Sequence, residues 1–308
     1  MRNKIIISGV FLLLAVVFFA GLVRFDIPVE KLKDKYADEN SRFIEIDGMQ
    51  VHYRDQGTGT PLVLIHGTAA SLHTWDGWTE VLSGNFRVIR MDIPAFGLTG
   101  PFPDGDYTIG AYVEFLKKFL DAVGVESCHV AGSSLGGFIA WNYALEYPED
   151  VKSLILLNSA GYPRSSIPRI FRIVRLPGAG FIGRYAGPRF LIERNVKEVY
   201  GDESKITPET VDRYHKLSLR EGNRRAFIDR AGTQEDYETL SRRIPEIRVP
   251  TLIIWGTEDL WVPIENAYRF EKDIPDSRLV AYEGVGHIPM EEIPELSASD
   301  ALDFLLGL

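Results

Sequence analysis

The chain has a single cysteine, Cys128, in 308 residues, so no disulfide framework staples it. It also lacks a Cys/His cluster at metal-ligand spacing, an internal repeat and any low-complexity tract. Those absences exclude a zinc module and a repeat solenoid. Positive charge is not in excess either. Lys plus Arg number 34 against 43 Asp plus Glu, a formal net charge of −9, which argues against nucleic acid as a partner. Long apolar runs are missing except for one, residues 5–23, which contain no charged side chain. That run is long enough to cross a bilayer as a helix. Arg2 and Lys4 precede it, and Arg24 is soon followed by Asp26 and Glu30. The positive-inside rule therefore keeps the amino terminus in the cytoplasm and exports the rest. The expectation is a membrane anchor over residues 1–25, with the remainder on the extracytoplasmic side. The alternative is a cleaved signal peptide and a secreted chain, against which the length of the run and the missing small-x-small site both count.

The polar residues 26–42 read as a juxtamembrane linker. About 285 residues follow the span, ample for one large core. Two alternating runs around Asp47-Gly48 predict a β-hairpin. Short apolar strands are predicted at 62–65, 87–91, 128–131, 151–157, 251–255 and 278–282. Helical patterns fall at 75–82, 108–123, after Ser134, and near Glu265 and Leu296. Alternating apolar strands and helices predict a mostly parallel sheet covered on both faces. One segment breaks the rhythm, because residues 162–245 show helical patterns and no strand. Residues 162–244 carry 17 Lys plus Arg against 11 Asp plus Glu, a net of +6 that leaves −15 for the rest. We read 162–245 as a helical cap inserted between two parts of one core, 43–161 and 246–308. Within it Ile167, Ile170, Phe171 and Val174 recur at helical spacing among Arg164, Arg169, Arg172, Arg175, Arg184 and Arg189. Pro168 suits the first turn of this helix and Ser165 or Ser166 its cap. Its apolar stripe either faces the core or lies on an anionic membrane.

The chemistry centres on Gly132-Ser133-Ser134-Leu135-Gly136, where a strand meets a helix. Gly-x-Ser-x-Gly at such a junction is the spacing of a nucleophile elbow, which puts Ser134 forward as nucleophile. A serine hydroxyl needs an adjacent base. His287, in the glycine-rich loop after the last predicted strand, reaches the same sheet edge, since loops at the carboxyl ends of parallel strands converge. The base needs an acid to orient it. Asp259 follows another strand, with Glu258 as runner-up and Asp92 third. Oxyanion donors are expected from the backbone N–H of Leu135 and of Thr68, the latter in the loop after strand 62–65. His66 is read as bracing that loop. Trp75 is a candidate for the substrate pocket, the alternative being that it packs a helix onto the sheet. This chemistry requires no cofactor and no metal ion.

Leu64-Ile65-His66-Gly67-Thr68, Met91-Asp92-Ile93-Pro94, Gly132-Ser133-Ser134-Leu135-Gly136-Gly137, Trp255-Gly256-Thr257-Glu258-Asp259 and Gly286-His287-Ile288-Pro289 together resemble the α/β-hydrolase superfamily. The match in order and spacing runs from about residue 43 to the carboxyl terminus. In flavour it is similar to capped bacterial serine esterases and lipases, to membrane-anchored monoacylglycerol lipases and to carbon–carbon bond hydrolases. The resemblance implies hydrolysis of a hydrophobic carboxylic ester or lipid through an acyl-enzyme. The alternatives are carbon–carbon cleavage of a vinylogous diketone, and a non-catalytic ligand-binding protein on the same scaffold.

Overall fold

A computed structural model describes residues 24–163, 168–176, 178–185 and 187–308. The apolar run 5–23 and, in the cap, Arg164, Ser165, Ser166 and Ile167 lie outside the described residues. No helix of the described residues is long and apolar enough to cross a membrane.

Eight strands form one sheet in the order β1-β2-β4-β3-β5-β6-β7-β8. They are β1 (Ser41–Ile46), β2 (Met49–Gln56), β3 (Pro61–Ile65), β4 (Arg87–Met91), β5 (Cys128–Ser133), β6 (Val151–Leu157), β7 (Thr251–Gly256) and β8 (Ser277–Tyr282). β1 pairs antiparallel with β2 and β2 with β4, while every other pairing is parallel. The hairpin turns where the Asp-Gly pair predicts it, with Asp47 at φ 49° and Gly48 at φ 80°, the left-handed pair that matches strand twist. Strands β3 and β7 are apolar, apart from Thr251 at the start of β7, because both faces are covered. Val63, Ile65 and Ile253 point into one core cluster, while Leu62, Leu64, Leu252 and Ile254 point into the other, as the period of two requires.

Helices Ile109–Ala122, Leu135–Glu146 and Glu265–Asp273 contribute to the first cluster, through Phe119, Phe138 and Phe270. Asp76–Leu82 and Pro294–Leu306 contribute to the second, through Trp78 and Ala301. Thr108 caps its helix by accepting the Ala111 N–H. Between β6 and β7 the described residues form helices and no named strand. Residues 26–42, expected as a linker, are instead packed. The helix Val29–Tyr36 buries Leu32 and Tyr36 with Leu98 and Leu217, and Lys35 pairs with Asp212 of the cap. Its apolar positions are too few for a sequence pattern to register, and the partner surface is remote in the chain.

The amino-terminal half is fastened by Asp92, at the end of β4 and wholly buried. It accepts from Leu72 N and Leu98 N at 2.8 Å each and lies 2.7 Å from His52 Nδ1. Burial pushes its carboxyl up, but His52, His66 and His73 outweigh that and hold it well below the usual carboxylate range. A depressed carboxylate contributes stability above its unfolded pKa, and that contribution is lost as pH falls through the folded value. We expect Asp92→Asn to cost about 3 kcal/mol in denaturant unfolding at neutral pH. Wild-type stability should also fall more steeply than the variant's below about pH 5. Parallel pH profiles would show that Asp92 holds no such stabilisation.

Candidate active site

β5 ends one residue before Ser134, which opens the helix Leu135–Glu146. The chain reverses there through φ 55°, ψ −112° at Ser134, a conformation an L-residue rarely adopts. Two glycines make room for it. A Cβ on Gly136 would lie 2.0 Å from the Ile65 carbonyl oxygen of β3, and one on Gly132 would lie 2.2 Å from the Gly136 carbonyl oxygen. The register then decides who the neighbours are. Gly132 pairs with Ile65, Ser133 with Leu157, and Leu157 with Ile254. The residues just beyond those strand ends therefore share one edge. Because β4 and β5 flank β3 on opposite sides, this edge is a topological switch point, where open α/β sheets form their crevice.

Asp259 and His287 meet at this edge, with His287 Nδ1 at 2.6 Å from Asp259 Oδ2. Asp259 is buried and fully engaged. Its Oδ2 also accepts from Asn158 Nδ2 at 2.7 Å, and its Oδ1 accepts from Trp261 N and Val262 N at 2.7 and 2.9 Å. Glu258 is exposed, and Asp92 belongs to His52. His287 Nε2 is buried without a hydrogen-bond partner among the described residues, and His287 lines the same small pocket as Ser134. The other five histidines hold protein hydrogen bonds elsewhere. His66 spans its loop, with Nδ1 donating to Gly67 O at 2.8 Å and Nε2 accepting from Ile93 N at 3.1 Å. Burial, opposed by Asp92, lowers its pKa and favours the neutral ring.

Leu135 heads its helix, so its N–H has no intrahelical acceptor. Thr68 lines two cavities that meet at the oxyanion loop. The smaller, about 70 Å³, holds Ser134 and His287 among apolar side chains. The larger, about 310 Å³, is lined by Leu135, Phe171, Arg175, Arg230 and Glu235. Ile170 and Phe171 of the cap helix Arg169–Val174 thus face the two cavities, while Arg169 and Arg172 are exposed. These two residues of the apolar stripe look toward the core. Trp75 requires a correction. It is fully buried, edge-on to Trp78 with ring centroids 5.0 Å apart, and it lines neither cavity at Ser134. The short helical turn that carries it points it under the sheet.

Two residues were not anticipated. Asn158, at φ 44° beyond β6, donates to Asp259 and accepts Gly256 N–H at 3.3 Å. A polar side chain directly after an apolar strand end was its only signal. Ser133 also lines the small pocket, and its buried Oγ has no partner among the described residues. A second Ser-His-Asp line exists away from this edge, with Ser41 Oγ 2.9 Å from His52 Nε2. There the hydroxyl also receives Asp38 N and Arg54 Nε at 3.1 and 3.3 Å, so it is a brace rather than an open nucleophile.

A doubly covered parallel sheet with a strained serine at its switch point defines the α/β-hydrolase class. The chain belongs to that family, whose model, described as alpha/beta hydrolase fold, matches residues 60–294. It is 30% identical over 287 residues to a 2-hydroxy-6-oxo-6-(2'-aminophenyl)hexa-2,4-dienoic acid hydrolase of Metapseudomonas resinovorans, covering 90% of this chain and 93% of the relative. Among solved structures it is similar to a membrane phospholipase A, at 25% identity and TM-score 0.72, over 99% of this chain and 98% of that one. It is also similar to a thermophilic esterase from Thermogutta terrifontis, at 27% identity and TM-score 0.73, over 86% and 96%.

The close approach at the turn makes a direct prediction. Gly136→Ala should cost about 1–3 kcal/mol, because the methyl meets backbone that cannot yield. Thermal unfolding would read the loss, and an unchanged midpoint would mean that the helix and β3 are not in contact there.

Proposed function

We propose that this hydrolase cleaves carboxylic esters through an acyl-enzyme at Ser134. The lining of the small pocket carries the reading. Ile170, Ile192, Val196, Val199, Ile288 and Met290 line the pocket with Ser134, and no lysine or arginine among the described residues lines it. Arg213, beside the pocket residue Tyr214, is ion-paired with Glu291, which also accepts the Tyr214 hydroxyl at 2.8 Å. An apolar acyl chain suits such a wall. In the mechanism, Ser134 Oγ attacks the carbonyl carbon while its proton passes to His287 Nε2. The oxyanion forms against the N–H groups of Thr68 and Leu135. Collapse breaks the ester C–O bond, and His287 returns the proton to the departing alkoxide. Water then attacks the acyl-enzyme by the same steps, releasing the carboxylic acid and restoring Ser134. Asp259, held by Asn158, keeps the ring oriented and supports its positive charge.

The relatives support a second reading at least as well, and they do not favour the order in which the sequence reading ranked the two. The Metapseudomonas resinovorans relative is named for a vinylogous diketone acid, the substrate type of carbon–carbon hydrolases. Here His287 would first tautomerise the substrate, and the leaving group would depart on carbon. The experiment is a series of p-nitrophenyl esters of rising chain length beside that ring-fission diketone acid. The ester reading expects kcat/KM for the better esters to exceed that for the diketone by about tenfold or more. The reverse ranking replaces it with carbon–carbon cleavage. On the better substrate, Ser134→Ala should lose about a thousandfold or more, Asp259→Asn a comparable amount, and exposed Glu258→Gln less than about twofold. A serine-directed phosphonate that fails to label the protein would overturn both readings.

We also propose that residues 5–23 anchor the chain in a membrane with the hydrolase on the extracytoplasmic side. Support comes from the uncharged run itself and from the residues after it, which are tied to the cap. Arg24 N–H donates to Tyr185 O at 2.8 Å, Asp26 pairs with Arg224, and Ile27 bridges Arg220. The whole-chain likeness to a membrane phospholipase A points the same way. A chain cut after Val23 keeps those contacts, so it should fold and move from the membrane fraction to the soluble one. A full-length chain that is soluble without detergent would overturn the anchor, and a mature chain lacking the run would replace it with secretion.

A further inference from the structure

The loop that carries His287 is held from two sides. On the sheet side, a Cβ on Gly256 at the end of β7 would lie 2.1 Å from the Gly286 carbonyl oxygen, so the loop rests directly on that strand end. On the other side stands the cap. His287 N–H donates to Val199 O at 2.7 Å, at the end of the cap helix Arg189–Val199. A Cβ on Gly286 would lie 2.5 Å from Gly201 N, and one on Gly201 would lie 2.2 Å from Gly284 O. Backbone thus meets backbone between two segments remote in the chain. One side chain fastens the junction. Glu292 closes the short helix Pro289–Glu292, is 4% exposed and turns back on the loop. Its Oε2 accepts Gly286 N–H at 2.8 Å and Gly201 N–H at 3.0 Å, and its Oε1 accepts Asp202 N–H at 2.8 Å. Its backbone carbonyl receives Lys205 Nζ at 3.1 Å.

Three N–H groups from two segments converge on the two oxygens of Glu292, and one of them belongs to the residue just before His287. A buried N–H that loses its acceptor is costly, so loop and cap stay where Glu292 can reach both. Asp259 fixes one ring atom, Nδ1, at 2.6 Å. The place of Nε2 depends as well on where the backbone enters, and a general base tolerates only about 0.5 Å of misplacement. We propose that Glu292 is a positioning residue for the base: it ties the His287 loop to the cap, so that the cap as well as the sheet sets where Nε2 stands. Glu292 lines neither cavity at Ser134, so its effect passes through His287 and not through contact with substrate. The neighbouring Glu291 reaches a second cap helix, Pro208–Ser218, through Arg213 and the Tyr214 hydroxyl. The same junction shapes the acyl pocket, since Val196 and Val199 come from the cap and Ile288 and Met290 from the loop side. The role rests on the reading of His287 as base, and it holds whichever bond breaks.

The test is a double-mutant cycle in full-length protein. Glu292→Gln and Glu292→Ala are made alone and together with His287→Ala, and each is assayed on whichever p-nitrophenyl ester or diketone acid wild type turns over best. Glutamine keeps one acceptor oxygen in the same shape, whereas alanine removes the acceptor from all three N–H groups. In protein that melting curves show to be folded, Glu292→Ala should lower kcat about a hundredfold and Glu292→Gln about tenfold, with KM changed less than about threefold. On the His287→Ala background each change should cost less than about twofold, because nothing is left to position. The rate at which a serine-directed phosphonate labels Ser134 gives the same comparison where turnover is too slow to read. If the alanine variant does not fold, the glutamine variant completes the cycle. Losses that persist undiminished without His287 would mean that Glu292 acts by another route and would overturn the positioning role. Variants that are only less stable, with turnover per folded molecule unchanged, would overturn it equally. Wild-type turnover unaffected by His287→Ala, or a wild type inert toward both substrates and the phosphonate, would instead overturn the reading of the base or of Ser134, and the positioning role with it.

Discussion

The turn at Ser134 is possible only because helix, strand and neighbouring strand come within backbone contact. Gly136 lies against the Ile65 carbonyl and Gly132 against Gly136. That contact holds an L-residue at φ 55°, an arrangement worth about 1–3 kcal/mol of strain that the surrounding packing must offset. It also lifts the hydroxyl out of the sheet plane and starts a helix directly beneath it, so that Leu135 N–H and the β3 loop flank one position. The parallel register carries the effect across the sheet. Once Gly132 is opposite Ile65, and Ser133 opposite Leu157, the residues beyond β6 and β7 are brought to the same edge.

At that edge polar satisfaction sorts the side chains. Asp259 has hydrogen bonds from Asn158, Trp261, Val262 and His287, and such a carboxylate is fixed in place. Asp92 is equally buried and equally engaged, yet it serves a different end. Its partners are the β2 histidine and two loop N–H groups, so it fixes the scaffold under the oxyanion loop rather than the base. Buried side-chain groups without a partner among the described residues include His287 Nε2 and Ser133 Oγ, and both residues line the pocket of Ser134.

The cap joins the two themes. Its short helix sends Ile170 to the pocket of Ser134 and Phe171 to the larger cavity, one residue apart, because neighbours on a helix diverge by about 100°. Its other helices receive the segment that follows the apolar run, through Asp26 with Arg224 and Lys35 with Asp212. The residues after the run are therefore part of the folded body, and the cap is fastened on that side as well as to the core.

The strands, the hairpin and the helical insertion were legible in the sequence because they rest on local signals: apolar runs, an Asp-Gly pair, and the period of helical stripes. Ser134, Asp259 and His287 stood out because a parallel sheet sends its loops to one edge whatever the details. The helix Val29–Tyr36 was not legible, since its few buried residues meet Leu98 and Leu217, which are distant in the chain. Trp75 was ambiguous for the same reason, because only packing decides whether an aromatic beside a loop faces a pocket or another tryptophan. Asn158 was barely legible because it lies in no motif and only follows an apolar strand end. Its meaning depends on what stands opposite, which is Asp259. Sequence patterning determined the elements and the edge at which they converge. Tertiary structure decided which polar groups are paired there and which are left facing the cavities, because pairing depends on distances between residues that the chain order does not bring together.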